Sequence, residues 1–295
     1  MNLRDLRYFV TVAETGHFGR AARRCHVSQP TLSAQIKKLE DELGATLIER
    51  RPRAASLTES GQRALEHARR ALESIDRMSE AARSAGDPLA GTLKVGLIPT
   101  VGPYLLPAVA ARLRERLPRL KLLLYEFRTT PLLERVRDGQ LDLAILALGP
   151  PVAGLEHRPL YREPFALAVH AGHRLAQAKR VALSDLSGET LLLLEDGHCL
   201  RDQALEVCRN SDAHEDQDFR ATSLETLRQM VAAGLGVTLL PELATRGAFA
   251  NSDLTVRPFA APAPERVVGA AWRASTTRGA AIEAVCEVIA QARPR

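Results

Sequence analysis

The chain has 295 residues, of which 45% are hydrophobic and 25% charged, and this length predicts two or three domains that each bury a core. The apolar fraction excludes a mainly disordered chain. Apolar runs such as Leu191–Leu194 are far shorter than the ~20 residues of a membrane helix. The charged N-terminus also lacks the apolar stretch of a signal peptide, so we expect a cytoplasmic protein without a membrane segment.

Positive charge is concentrated near the N-terminus. The first 58 residues hold 10 Lys and Arg against 6 Asp and Glu, whereas the remaining residues hold 30 against 29. A basic N-terminal segment ahead of a near-neutral remainder predicts that the segment binds a polyanion, of which nucleic acid is the first candidate.

The N-terminal segment predicts three helices followed by a hairpin. Apolar residues at helical spacing mark a first helix from Leu3, and a second covers Phe18–Arg24. Ser28 is placed to cap a third helix that ends at Gly44. Residues 18–43 therefore have the layout of a helix-turn-helix, for which an ordinary helical hairpin is the alternative.

Two groups of residues in this segment are predicted to contact DNA. Short polar side chains near a helix N-terminus suit base edges, and arginines at the tip of an adjacent hairpin suit phosphates or the minor groove. The predicted base contacts are Gln29, Pro30 and Ser33, and the predicted backbone or minor-groove contacts are Arg50, Arg51 and Arg53.

A long helix over residues 58–84 connects this segment to the rest of the chain. Its apolar residues approximate a heptad repeat, which fits either a dimer seam or one packed edge of a solvated helix. The seam residues are Leu65, Ala68, Leu72 and Ile75. Gly86-Asp87-Pro88 ends the helix. We therefore predict a DNA-binding domain over 1–58, a linker or dimerisation helix over 59–88 and a regulatory domain over 89–295.

From residue 89 onward, predicted strands alternate with predicted helices. This alternation indicates an α/β fold with a largely parallel sheet and crossover helices, split into two lobes. We place lobe I at about 89–162 and 267–295, and lobe II at about 163–266. The predicted strands are 92–97, 121–126, 141–148, 191–194, 219–221, 237–240 and 267–272, and the predicted helices are 104–117, 131–138, 199–208, 223–233 and 276–292.

One of the four cysteines stands in a chemically suggestive position. Cys199 falls where a strand gives way to a helix, beside His198 and on the same turn as Arg201. The first-turn amides and the helix dipole favour a thiolate there. A thiolate reacts with peroxide to give a sulfenic acid that a second cysteine can capture. A purely structural cysteine is the alternative, and Cys25 and Cys286 are expected to be packing residues.

The N-terminal motifs resemble those of LysR-type transcriptional regulators. The matching residues are Leu6-Arg7-Tyr8-Phe9, Ala21-Ala22, Val27-Ser28-Gln29-Pro30-Thr31-Leu32-Ser33, Ile36, Leu39-Glu40, Leu43-Gly44 and Leu57-Thr58-Glu59-Ser60-Gly61. The resemblance implies a winged helix-turn-helix, a dimerising linker helix and a two-lobed effector domain similar to periplasmic binding proteins. It also implies a homodimer or homotetramer that binds double-stranded promoter DNA and acts with RNA polymerase.

The regulatory domain resembles the peroxide-sensing members of that family over residues 98–107, 195–203, 208 and 219–228. This implies a reversible disulfide between Cys199, the peroxidatic cysteine, and Cys208, the resolving one. Hydrogen peroxide would be the signal, and a reductant of the glutaredoxin or thioredoxin type would reset the switch. By the same resemblance, Thr100, Thr129 and His198 line the peroxide pocket and Arg266 helps to hold the thiolate, with Thr130 as an alternative to Thr129.

Three functional hypotheses follow. The first is a peroxide-switched activator of oxidative-stress genes. The second keeps the DNA-binding head but makes the cleft near Thr100 and Thr129 a receptor for a small metabolite. The third is a thiol peroxidase, which the basic head disfavours, so no enzyme activity is predicted. No cofactor or metal site is expected, since the eight histidines show no ligand spacing.

Overall fold

The computed structural model describes residues 1–51, 54–83, 87–149, 154–209, 213–246 and 253–291; the side chains of residues 50, 51, 76, 77, 79–83, 217 and 218 are outside the description. The chain divides into two compact units, Met1–Ala85 and Gly86–Arg295.

The first unit is a helical head with a short hairpin. Its elements are α1 (Leu3–Thr15), α2 (Phe18–Arg24), α3 (Gln29–Leu43), β1 (Ile48–Arg51), β2 (Ala54–Leu57) and α4 (Glu59–Arg83). The predicted cap residues do bound α3. The Ser28 hydroxyl accepts from the backbone N–H of Thr31 at 3.2 Å, and Gly44 takes the left-handed conformation at φ 65°.

The apolar edge of α4 packs partly within its own head. Ala68 is buried in the same core as Phe9 and Val12 of α1, and Leu65 contacts that core. Two of the four predicted seam residues therefore contribute to packing inside one chain. Leu72 lies further along α4 and lines a groove of about 1080 Å³ beside α1.

The second unit alternates strands and helices. Its elements are β3 (Gly91–Leu97), α5 (Gly102–Arg116), β4 (Leu120–Glu126), α6 (Thr129–Arg137), β5 (Leu143–Leu148), β6 (Glu156–His170), β7 (Thr190–Leu194), α7 (Cys199–Cys208), β8 (His214–Ala221), α8 (Leu224–Ala232), β9 (Thr238–Pro241), β10 (Leu254–Pro258), β11 (Glu265–Trp272) and α9 (Gly279–Gln291). Short 3-10 turns occur at Arg174–Gln177, Leu183–Leu186 and Glu242–Thr245.

Strand β6 connects two groups of strands. The first group has the order β4-β3-β5-β11-β6, with β3 parallel to β4 and β5, and β11 antiparallel to both of its neighbours. The end of β6 then pairs with β9 and β10. Strands β7 and β8 pair in parallel, and a bridge from Leu191 to Val237 links β7 to the chain just before β9. This arrangement confirms the predicted α/β class with crossover helices, but the expectation of a largely parallel sheet is wrong. The sheet is mixed, because β11 and β6 pair antiparallel with all of their neighbours.

Strands β6 and β10 are absent from the sequence-based prediction. The first half of β6 contains Pro159, Pro164 and several charged residues, which break the pattern expected of a strand. Pairing with β11 overrides that local signal, because β11 contributes a ladder along the whole first half of β6.

Candidate redox site and nucleic-acid interface

The predicted base-contacting residues lie at the start of α3. Gln29 and Pro30 are exposed and Ser33 is half-buried. On an adjacent strip of the same helix, Leu32 and Ile36 are fully buried against the head core. Packing thus fixes the rotation of α3, while Gln29 and Pro30 at its N-terminus remain exposed.

The hairpin is anchored to the helices on both sides. One carboxylate oxygen of Glu40 on α3 accepts from the backbone N–H groups of Leu47 and Ile48, at 2.8 and 3.0 Å. At Gly61, a Cβ would lie 2.0 Å from the Leu47 carbonyl oxygen, so only glycine fits where α4 crosses the hairpin.

These contacts explain why Glu40 and Gly61 stand in the motifs noted above. Arg53 lies outside the described residues, as do the side chains of Arg50 and Arg51.

The two cysteines of interest bound one helix. Cys199 is the first residue of α7 and Cys208 the last, as the sequence predicts. Cys199 is half-buried, Cys208 is buried, and neither forms a disulfide. A turn connects β7 to Cys199. In this turn Gly197 has φ 90°, a conformation that favours glycine. The N-terminus of α7, where the helix dipole favours an anion, therefore coincides with the half-buried thiol.

Arg128 brings the turn before Cys199 next to the start of α6. Its guanidinium forms an ion pair with Glu195 and donates to the carbonyl of Asp196 at 3.4 Å. Thr129 directly follows Arg128, and His198 lies two residues after Asp196. The segments that carry the two predicted pocket residues are therefore joined by the contacts of Arg128.

The surroundings of His198 disfavour its charged form. Burial lowers the pKa of His198, and the neighbouring Arg128 charge lowers it further, with Glu195 opposing. Within the described residues, His198 Nε2 and Thr129 Oγ1 are buried and have no hydrogen-bond partner. Two polar atoms are thus available to a small polar ligand.

Arg266 lies in a second buried group. Its guanidinium donates to the hydroxyl and the carbonyl of Thr100 at 3.1 and 2.9 Å, and its Nε donates to Glu163 at 2.8 Å. The other carboxylate oxygen of Glu163 accepts from the Leu243 backbone N–H at 2.9 Å. Arg266 and Glu163 are both fully buried and neutralise one another. The structure therefore joins Thr100 to Arg266 directly.

A third polar group connects α7 to β8. Arg201 donates two hydrogen bonds to the carboxylate of Glu215, at 2.6 and 3.0 Å, and its Nε lies 3.0 Å from Asp196. Arg220 adds contacts of 3.3 Å to Asp196 and 3.7 Å to Glu215. The hydrogen bond to Glu215 is the main cause that raises the pKa of Arg201.

Sequence reasoning did not find Glu163, Arg128 or Glu215. Glu163 has no local motif and pairs with a residue 103 positions away. Arg128 carries one usable signal, since it adjoins Thr129. Glu215 falls in a charged stretch that favours a solvated loop, whereas the structure extends β8 back to His214.

Comparisons with known proteins cover nearly the whole chain. Residues 3–62 match the family model for the bacterial regulatory helix-turn-helix protein, lysR family, and residues 86–294 match the LysR substrate binding domain. The chain belongs to the LysR family. The outcome agrees with the family that the N-terminal motifs indicate.

Within the LysR family, the chain is similar to OxyR proteins. The hydrogen peroxide-inducible genes activator of Dickeya chrysanthemi is 50% identical over 92% of this chain and 90% of its own length. The DNA-binding transcriptional dual regulator OxyR of Escherichia coli K12 is 46% identical over 98% of this chain and 95% of its own. A solved structure of a full-length cysteine-to-aspartate OxyR variant from Pseudomonas aeruginosa is 43% identical, with a TM-score of 0.76 over 98% of this chain and 94% of that one.

The described residues lack two further features. No helix among them is both long and apolar enough to cross a bilayer. In the same residues, no three His, Cys, Asp or Glu side chains group closely enough to hold a metal ion.

Proposed function

We propose that this LysR-family chain is a hydrogen peroxide-sensing transcriptional activator, switched by a reversible disulfide between Cys199 and Cys208. The observation that carries the proposal is the position of these thiols at the two ends of α7, in a chain 43–50% identical to OxyR proteins and hydrogen peroxide-inducible genes activators. The half-buried thiol at the helix N-terminus is suited to react, and the buried one to resolve.

The chemistry has two steps. In the first, the Cys199 thiolate attacks one oxygen of hydrogen peroxide, the O–O bond breaks, and a sulfenic acid and hydroxide form. The unpartnered polar atoms of His198 and Thr129, together with Thr100 and Arg266, form the proposed peroxide pocket. In the second step, the Cys208 thiol displaces the sulfenic oxygen as water and the disulfide closes.

The second step requires α7 to unwind. Nine helical steps separate Cys199 from Cys208 by about 13.5 Å along the axis and place the two residues on opposite faces. A disulfide needs Cα atoms about 4.4–6.8 Å apart. Formation of the sulfenic acid alone needs no such change, so we expect it to leave the fold largely intact. Closure of the disulfide remodels the segment around α7 and thereby shifts the oligomer on DNA.

The remaining partners follow from the family. The head is proposed to bind promoter DNA as a homodimer or homotetramer, with RNA polymerase recruited at the promoter. A thiol reductant of the glutaredoxin or thioredoxin class returns the disulfide to two thiols and is itself oxidised. Turnover of peroxide is then signalling, not catalysis.

Non-reducing mass analysis before and after micromolar peroxide tests the proposal. We expect the wild type to lose two hydrogens, with a peptide linking Cys199 to Cys208. Promoter activation by peroxide should be lost in Cys199→Ser and kept in Cys286→Ser, the matched control. A Cys199→Ser variant that still responds would instead favour a metabolite receptor.

A further inference from the structure

Four charged side chains form the polar group that connects α7 to β8, and they come from both sides of the two cysteines in the sequence. Asp196 precedes the first cysteine, Arg201 lies between the two, and Glu215 and Arg220 follow the second. The network they form therefore ties together both flanks of the segment that disulfide formation has to rearrange.

Arg201 and Glu215 form the inner part of this network. The Arg201 side chain is only 9% exposed and that of Glu215 19%, against 77% for Asp196. A two-pronged guanidinium–carboxylate contact with this little exposure is among the stronger polar interactions in proteins. Breaking it leaves both partners to find new ones.

Unwinding α7 must break that contact. Arg201 is in the first turn of α7, two residues after Cys199, so a helix that opens to bring the cysteines together carries Arg201 away from β8. The contact is present in the dithiol form and has to be lost before the disulfide closes.

We propose that Glu215 is a positioning residue that holds α7 in its dithiol form and thereby slows disulfide closure. The inference rests on the proposed function and adds to it a residue that governs the second step alone. Glu215 acts through Arg201, so the attack of Cys199 on peroxide proceeds without it. The affected step is the displacement of the Cys199 sulfenic oxygen by Cys208, which releases water and forms the S–S bond.

The two steps can be measured separately on the full chain. A 1,3-diketone probe traps the sulfenic acid and reports the first step, and non-reducing mass analysis reports closure. In Glu215→Gln we expect closure about tenfold faster, and the ratio of disulfide to dithiol in a dithiothreitol redox buffer about tenfold higher, as the loss of one charged hydrogen-bonded contact implies. The rate of sulfenic acid formation should change by less than about twofold.

Glu283→Gln is the matched control. It removes a carboxylate of the same type that pairs with Arg158 at the surface of the same unit. Both of its rates should equal those of the wild type. Hydrogen exchange on the reduced proteins adds an independent readout, in which protection of residues 199–208 falls in Glu215→Gln and not in the control.

Failure of the inference and failure of the proposed function give different results. A wild type that closes the disulfide while Glu215→Gln closes it at the same rate overturns the role of Glu215 alone. A wild type that forms no Cys199–Cys208 disulfide overturns both. If Glu215→Gln does not fold, Asp196→Asn removes the exposed carboxylate of the same network and should accelerate closure by a smaller factor; an unchanged rate there overturns the inference.

Discussion

His198 couples the stability of the protein to pH. Burial and Arg128 place its folded-state pKa below the ordinary value of 6.5, so the unfolded chain binds a proton more readily than the folded one. The stability that the neutral ring contributes is complete above pH 6.5 and is lost as the pH falls through that value toward the folded pKa.

We therefore expect the melting temperature of the wild type to fall between pH 7.5 and 5.5 by more than that of His198→Asn. Thermal unfolding of reduced protein at closely spaced pH values measures this. His157→Asn, which changes an exposed histidine, is the control and should follow the wild type. Parallel curves for His198→Asn and wild type would contradict the assignment.

The ion pair between Glu163 and Arg266 predicts a non-additive pair of substitutions. Arg266→Met leaves the Glu163 carboxylate buried without its cation, which should cost about 3–5 kcal/mol of unfolding free energy. Adding Glu163→Gln removes the stranded charge and keeps an oxygen that accepts from the Leu243 backbone, so the double variant should recover part of the loss. Urea unfolding of the two variants gives the comparison, and a double variant no more stable than Arg266→Met argues against the pair.

Helix α3 and the hairpin should contribute differently to DNA binding, with base-specific contacts from α3 and contacts common to all sequences from the hairpin. Gln29→Ala should relax preference at one base pair by about 1–3 kcal/mol, because its side chain is exposed at the N-terminus of α3. Arg50→Ala should weaken binding to all sequences alike and lower the slope of log affinity against log salt by about 1. Titrations of specific and unrelated duplexes at several salt concentrations distinguish the two, and a changed base preference in Arg50→Ala would reverse the assignment.

Local signals predicted some elements well and could not predict others. The bounds of α7 match because turn residues precede Cys199 and the apolar pattern of the helix is complete within ten residues. No local pattern predicts the first half of β6, because that half is stabilised by pairing with β11, more than 100 positions away in the chain. The same distance hides the ion pair of Arg266, since no sequence spacing relates it to Glu163.

The candidate site divides in the same way. Cys199, Cys208 and His198 lie within one stretch of sequence, and a strand-to-helix junction with nearby cysteines signals thiol chemistry by itself. The partners that orient this stretch, Arg128 and Glu215, come from other elements and become visible only when the chain is folded.

For the whole molecule, we predict that the two chains of the proposed dimer associate along the groove beside α1. Leu72 and Leu3 both line this groove, and Leu3 is 43% exposed. If α4 helices pair there, Leu72→Asp should shift the chain from dimer toward monomer and sharply reduce affinity for an imperfect palindrome, whose half-sites lie about 34–36 Å apart or at a multiple of that spacing.

Sedimentation and DNA titration of Leu72→Asp test this pairing. Ser74→Asp introduces the same charge at an exposed position of α4 and should leave both measurements unchanged. Full dimerisation of Leu72→Asp would remove this edge of α4 from the interface.

The irregular pairing of β7 with β8 leaves surplus contour length in β8. Leu191 of β7 pairs with Glu215 of β8, whereas Leu193 pairs with Arg220. The chain therefore advances by five residues in β8 where it advances by two in β7. Each extended residue spans about 3.3 Å, and the three surplus residues therefore hold about 10 Å of slack. Bringing two Cα atoms from about 14 Å on an intact helix to disulfide distance requires a closure of about 8 Å. If the proposed disulfide closes, we expect the surplus residues of β8, which follows α7 in the chain, to supply contour length of the size that this closure requires.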